Sequence, residues 1–267
     1  MSITRHVSVP AILAILGAAT TAAQQPVPRM QCDDDWRRWG NGAHVCEIRE
    51  VTVRVTGALS VNARPTGGIH VIGADRDDVL VRAVVHAWAD DEDQARAVAG
   101  EVVVHTDDVV RAEGPERRDR PDWSVSYEIL APRNTDLRLE TRNGGITIAN
   151  LRGDLDFETT NGGLHLDDLA GNVRGRTTNG GVEVTLTGER WDGEGLSVQT
   201  TNGGIRLRVP DDYSARLETR TVNGGTNIDF PVTVQGRLGR EISTTLGDGG
   251  PLVRAQTTNG GVRVRRY

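Results

Sequence analysis

The chain has 267 residues, of which 32 are glycine and only 4% are aromatic. This is little aromatic mass for an ordinary core, so a core of regularly spaced Val, Ile and Leu is indicated. The sequence contains no lysine, so all 31 of its Lys and Arg residues are arginine, which excludes a Schiff-base lysine and the lysine of a phosphate-binding loop. The net charge of -6 argues against nucleic acid as the main partner.

The first 23 residues have the organisation of an export signal. Arg5 precedes an apolar run over residues 7–19 that is too short to span a bilayer comfortably, and small residues lead to a cleavage point after Ala23. Retention of this segment as a membrane anchor is the alternative. We expect an exported protein located in the periplasm, on the outer surface or outside the cell, with no transmembrane segment in the mature chain.

The next segment, residues 24–46, contains both cysteines of the chain, Cys32 and Cys46. Two lone cysteines in an oxidising compartment most simply form one disulfide. A metal site that adds His44 to the two cysteines is the alternative, but it lacks a fourth ligand at a familiar spacing. We therefore expect a disulfide-closed N-terminal segment, no metal, and one repeat domain over residues 47–267.

Residues 47–131 alternate between apolar and polar residues in several short runs, which predicts strands with one buried face. The sequence Thr66-Gly67-Gly68 is a degenerate copy of a motif that recurs later in the chain. One stretch differs: residues 90–100 begin with acidic residues, continue with Ala and Val, and end at Gly100. This pattern predicts the one helix of the chain.

From residue 141 onward the pattern Thr-x-Asn-Gly-Gly recurs six times, with intervals of 18, 18, 23, 21 and 36 residues between successive copies. The asparagines of these copies are Asn143, Asn161, Asn179, Asn202, Asn223 and Asn259. Apolar and polar residues alternate on both sides of each Asn-Gly-Gly, so each repeat predicts two strands joined at that corner.

Two architectures compete for these repeats. Asn-Gly between alternating runs is a strong hairpin signal, which favours an antiparallel meander. However, Arg138, Asp156 and Arg174 occupy equivalent positions and alternate in sign, which favours coils stacked in parallel register. Stacking predicts a ladder of Asn amides, a parallel ladder of Thr hydroxyls, and glycines that let the backbone turn tightly.

Several features follow one another along the chain: the run VLVRA, a helix, W-x-V-x-Y-x-I-x-x-P and L-x-L-x-T-x-N-G-G-I. The run GDGGPLVRAQTTNGGVRV lies near the end. In these features residues 47–267 resemble a bacterial exported β-strand-repeat domain of unknown function that is named as a "putative adhesin". The resemblance implies an all-β, right-handed β-helix-like solenoid on the cell envelope, and it implies no catalytic residues.

Motifs of catalysis are missing from the sequence: there is no G-x-S-x-G and no H-E-x-x-H. Glycoside cleavage needs two carboxyls ~5–10 Å apart, and the candidates are Asp75, Asp77, Asp78, Asp167 and Asp168. We expect these to be solvated acids at turns. His70 and His165 follow Gly-Gly pairs at the same position, and we expect both to be surface residues. The sequence predicts no catalytic residue and no cofactor.

Insertions between the later repeats carry two aromatic residues, Trp191 and Tyr213, which we predict to be exposed anchors for a ligand. The predicted function is a non-enzymatic cell-envelope repeat protein, an adhesin or surface scaffold that binds an envelope, protein or glycan ligand. The alternatives are a polysaccharide-active β-helix enzyme that uses outward carboxylates and an envelope-stress sensing domain that binds a protein.

Overall fold

The computed structural model describes residues 30–32, 42–116, 122–231 and 240–267. The regular secondary structure of these segments is β-strand apart from one helix, which confirms the predicted all-β class. The helix, α1 (Glu92–Glu101), begins where the Asp91 carboxylate accepts a hydrogen bond from the Gln94 N–H. Within these residues no helix has the length and apolar character needed to cross a bilayer. The predicted export signal, residues 1–23, lies outside the described residues.

Seven strands precede the first Asn-Gly-Gly repeat. They are β1 (Ala43–Val53), β2 (Leu59–Asn62), β3 (Ile69–Ala74), β4 (Val79–Ala89), β5 (Val103–His105), β6 (Val110–Glu113) and β7 (Trp123–Pro132). Eleven more strands carry the repeats. They are β8 (Leu137–Asn143), β9 (Ile146–Asn161), β10 (Leu164–Asn179), β11 (Val182–Thr185), β12 (Gly195–Asn202), β13 (Ile205–Val209), β14 (Ala215–Asn223), β15 (Thr226–Ile228), β16 (Glu241–Leu246), β17 (Leu252–Asn259) and β18 (Val262–Arg266).

The strands pair in two series, which the long strands β9 and β10 join because each takes part in both. The first series contains the strands that precede each Asn-Gly-Gly and runs β5-β6-β2-β8-β9-β10-β12-β17-β14-β16. The second series contains the strands that follow it and runs β1-β4-β7-β3-β9-β10-β11-β13-β18-β15. The inward side chains of both series share one apolar core.

Equivalent residues of neighbouring repeats pair in parallel register, so Asn143 lies opposite Asn161 and Asn161 opposite Asn179. Arg138, Asp156 and Arg174 likewise lie opposite one another. The corner Thr66-Gly67-Gly68 joins this register, because Thr66 bridges to Asn143 and Ile69 pairs with Ile146. The repeated pattern therefore forms a stack of parallel strands rather than a meander of hairpins.

The repeats do not all stack in chain order, contrary to the expectation that successive units pile up one after another. The last repeat, β17 and β18, lies between the fourth (β12 and β13) and the fifth (β14 and β15). The preceding strand, β16, pairs antiparallel with β14 on its other side. The interval of 36 residues between Asn223 and Asn259 is long enough for the chain to form β16 on one side of β14 before β17 begins on its other side.

The first strand, β1, belongs to the second series. β1 pairs antiparallel with β4, and it begins at Ala43, so it crosses the predicted segment boundary after residue 46. Cys32 and Cys46 form a disulfide. Both sulfurs are bonded to each other, so they are not available as the metal-ligating thiolates of the alternative hypothesis.

Candidate functional site

The corner formed by the repeated Asn-Gly-Gly carries a continuous ladder of exposed amides. Each Asn Nδ2 donates to the Asn Oδ1 of the neighbouring repeat at 2.7–2.8 Å, and the first, Asn143, donates to the Pro65 carbonyl at 3.0 Å. The ladder runs through Asn143, Asn161, Asn179, Asn202, Asn259 and Asn223, in that order. It follows the spatial order of the repeats rather than their order in the chain.

The repeated threonines do not bond to each other, which corrects the expectation of a hydroxyl ladder. Their side chains are buried, and each Oγ1 donates at 2.8 Å to the carbonyl of the first glycine in the neighbouring repeat. The carbonyl acceptors are those of Gly67, Gly144, Gly162, Gly180, Gly203 and Gly260. A buried hydroxyl needs a hydrogen-bond partner, and these carbonyls supply one because they point toward the next repeat. The threonine hydroxyls at the corner are therefore all hydrogen-bonded within the protein.

The two glycines of each corner have different surroundings. A Cβ on the first glycine would lie 1.9–2.1 Å from the carbonyl oxygen of the neighbouring repeat, so no side chain fits there. At the second glycine the nearest atom to a Cβ is 3.2–3.6 Å away, and at Gly225 none lies within 4 Å. The first glycine therefore permits close stacking, whereas the second leaves the outer surface open.

The second glycines form the floor of an open groove on the outer face of the second series. This glycine groove has a volume of about 420 Å³ and is floored by Gly163, Gly181, Gly204, Gly261 and Gly225. Its lining also includes the buried Val182, Ile205 and Val262 and five polar residues: His165, Glu183, Arg206, Arg263 and Asn227. These five occupy equivalent positions two residues after their glycines and lie opposite one another on neighbouring strands.

The same line of side chains continues across the second series beyond the groove. Its other members are Thr147, His70, Glu128, Arg82 and Glu50. At that end Glu128 is only 1% exposed. The Glu128 carboxylate accepts two hydrogen bonds, one from the Arg82 guanidinium at 2.7 Å and one from the Met30 backbone N–H at 2.5 Å. Met30 therefore covers one end of this polar row, while the glycine groove is open.

Residues 125–265 match the family model of Toastrack DUF4097, which is more than half of the chain. The chain belongs to this family. The resemblance noted from the sequence is thereby confirmed, and no curated protein matches the chain significantly.

Three of the solved structures to which the chain is similar have names that refer to adhesion. One is a "putative cell adhesion protein" from Clostridium sporogenes, 12% identical, covering 83% of this chain and 100% of its own, with a TM-score of 0.43. Another is a "putative adhesin" from Bacteroides fragilis, 10% identical, with coverages of 83% and 97% and a TM-score of 0.34. A third, from Parabacteroides merdae, is also named a "putative adhesin", with 10% identity, coverages of 83% and 96%, and a TM-score of 0.31.

In this Toastrack chain the two predicted aromatic anchors are buried, so that prediction is wrong. Trp191 is 3% exposed and donates from Nε1 to the Gly171 carbonyl at 2.9 Å, and Tyr213 is 2% exposed. The insertions that carry them contact each other, because the Ser214 N–H donates to the Glu189 carbonyl at 2.8 Å. The rings fill the core beneath the insertions, where burial of large apolar surface is favourable.

The predicted carboxylates do not form an exposed acid–base pair at the glycine groove, since none of the five lines it. Arg133 donates to Asp75 at 2.7 Å, and this bond lowers the pKa of Asp75. Asp78 is paired with Arg76. Burial, and then the negative charge of Asp168, raise the pKa of Asp167.

The two remaining acids also lie away from the groove. Asp168 accepts a hydrogen bond from Thr187, and Asp77 lines a separate cavity of about 500 Å³ with Asp136. His165 is exposed as predicted, but His70 is buried, which corrects the second surface assignment. His70 lies on strand β3, which is covered on both edges by β7 and β9. Burial lowers the pKa of His70, and the opposing effect of the nearby Glu128 carboxylate is smaller.

The arginines of the glycine groove, Arg206 and Arg263, were not predicted as site residues. The signal that could have identified them is their shared position two residues after the second glycine of two repeats. However, Arg206 and Arg263 are neighbours only because the last repeat lies between the fourth and the fifth. The spacing of the repeats in the sequence does not reveal this order.

Proposed function

We propose that the chain is an exported, non-enzymatic repeat protein of the cell envelope that holds an envelope, protein or glycan ligand in the glycine groove, as an adhesin or surface scaffold. The observation that carries this proposal is an open groove whose polar lining residues occupy equivalent positions, in register from strand to strand. Regular spacing of identical contact positions suits a ligand that is itself extended and repetitive.

Rigidity of the groove supports a binding role. Backbone pairing, an Asn amide and a Thr hydroxyl connect each repeat to its neighbour at this corner. A groove fixed in this way needs little ordering when a ligand arrives, and less ordering leaves more of the contact energy as affinity.

Export is supported by the leader-like composition of residues 1–23 and by the Cys32–Cys46 disulfide, which suits an oxidising compartment. We further propose that the Thr-x-Asn-Gly-Gly unit specifies a right-handed solenoid. Its support is the parallel pairing of equivalent strands, since crossover connections between parallel strands are almost always right-handed. N-terminal sequencing of the exported protein tests the first point, with Gln24 as the expected first residue.

Filling the groove tests the binding role. Gly181→Phe places a ring on the groove floor, where a Cβ has no neighbour closer than 3.6 Å, and Thr178→Phe adds the same ring at an exposed position that does not line the groove. The unmodified protein and both variants are purified, and their binding to immobilised envelope polysaccharide and envelope protein fractions is measured. We expect loss of binding in the Gly181 variant alone. Equal binding by both variants would refute the assignment of the groove.

A further inference from the structure

Two adjacent strands of the second series present arginines directly opposite each other. Arg206 on β13 lies opposite Arg263 on β18, and two residues further along Arg208 lies opposite Arg265. All four side chains point to the exposed outer face. Neighbouring strands are ~4.8 Å apart and alternate residues of one strand ~6.8 Å apart, so the four guanidinium groups originate from one small rectangle of the surface.

The four arginines differ in their partners. Arg265 is paired with Asp229 at 2.7 Å, and Arg208 lies over the Tyr267 ring at 5.8 Å from its centroid. Within the part of the chain that the structure describes, Arg206 and Arg263 form no ion pair. These two are also the arginines that line the glycine groove.

Like charges directly opposite each other on neighbouring strands are destabilising. The protein bears this cost at an exposed place beside an open groove: Glu183 lies opposite Arg206 on β11, but among the described residues no carboxylate is bonded to Arg206 or Arg263. An anion bound between the two guanidinium groups would remove the repulsion, because guanidinium forms paired, charge-assisted hydrogen bonds with carboxylate.

Resting on the proposed function, we infer that the ligand of the glycine groove is an acidic polysaccharide whose carboxylates bind Arg206 and Arg263. A chain of uronic acid units carries carboxylates at short regular intervals. The stacked strands likewise place the lining side chains of the groove at regular intervals. Proteins that bind single-stranded nucleic acid stack the bases on aromatic side chains, whereas no Trp, Tyr or Phe lines the groove. Val182, Ile205 and Val262 also line the groove, but their side chains are buried in the core, so the exposed lining side chains are His, Glu, Arg and Asn.

The probe for this inference is polygalacturonate, with dextran as its uncharged counterpart and phosphatidylglycerol vesicles as a source of headgroup phosphate. We expect the purified protein to bind polygalacturonate and not dextran. Replacement of both groove arginines, Arg206→Gln with Arg263→Gln, should weaken binding about ten-fold or more, since each removes a charge-assisted contact. The matched control, Arg142→Gln with Arg176→Gln, changes the net charge equally at exposed positions outside the groove. It should change the affinity by no more than about two-fold.

Circular dichroism and thermal unfolding verify that both double variants are folded. Equal losses in the two double variants would overturn the inference, because net charge alone would then explain binding. Binding to the vesicles but not to the polymer would overturn it in favour of headgroup phosphate. If polygalacturonate fails to bind while Gly181→Phe still abolishes binding to an envelope fraction, the groove function stands and the acidic polysaccharide assignment falls.

Discussion

The sharpest consequence of the stacked corner concerns its two adjacent glycines, Gly180 and Gly181. Replacing each by Ala adds the same methyl group one residue apart. At Gly180 the new Cβ would lie 1.9 Å from the Gly162 carbonyl oxygen, whereas at Gly181 it would lie 3.6 Å from the Gly204 carbonyl oxygen, an ordinary contact. We therefore expect opposite effects on the free energy of unfolding.

The magnitude at Gly180 follows from the hydrogen bonds at this corner. An ordinary contact of 3.4 Å requires the two repeats to separate by 3.4 − 1.9 = 1.5 Å. That separation would break the bonds from Gly162 N–H to the Asn179 carbonyl, from Thr177 Oγ1 to the Gly162 carbonyl, and from Asn179 Nδ2 to Asn161 Oδ1. Three bonds at about 1 kcal/mol each lower the free energy of unfolding by about 3 kcal/mol. Gly181→Ala should instead raise it by about 0.4–1 kcal/mol, because alanine restricts the unfolded chain.

Urea denaturation followed by far-UV circular dichroism measures both values on the same day and in the same buffer. The neighbouring corner provides a second pair, since a Cβ at Gly203 would lie 2.0 Å from a carbonyl oxygen and one at Gly204 would lie 3.4 Å from one. If the two members of each pair differ by less than about 1 kcal/mol, the repeats do not approach as closely as the corner requires.

Three further outcomes are expected. Trp191→Ala should lower the free energy of unfolding by about 3–5 kcal/mol in urea denaturation, as for a buried ring, and an effect near zero would indicate an exposed side chain. Replacing Cys32 and Cys46 by Ser should lower it by about 3 kcal/mol, the value for a loop of this length, and dithiothreitol should have no further effect on the variant. Because the pKa of Asp167 is raised in the folded state, its ionisation opposes folding at neutral pH. Asp167→Asn should therefore raise Tm at pH 7, and the gain should vanish as the pH falls through that pKa; a pH-independent gain would contradict this reasoning.

Equal repeat length made part of the fold predictable. The interval of 18 residues separates Asn143, Asn161 and Asn179, and the structure pairs them directly. Because inward and outward positions alternate along these strands, a shift of one residue would turn the apolar side chains to solvent. The outward charges add a second constraint, because Arg138 and Asp156 attract in the same register that buries the apolar residues.

The role of single polar and aromatic residues was less predictable. A threonine that recurs with the glycines gives no sign of whether its hydroxyl meets another hydroxyl or a carbonyl, and the close approach of the repeats decides this. Trp191 stands among charged residues and glycines, which suggested exposure, but its ring reaches the Gly171 carbonyl in the stack. Local composition cannot show that an insertion folds back over the core.

Insertion of the last repeat is also what creates the arginine pair. If the repeats stacked in chain order, Asn227 would lie between Arg206 and Arg263, and Asp229 would follow at the equivalent place between Arg208 and Arg265. In the structure Arg263 instead lies between Arg206 and Asn227, and Asp229 pairs with Arg265 only. The observed order thus exchanges a neutral neighbour for a like charge at an exposed groove. An ordering that increases repulsion within the protein is understandable where an external anion completes the row.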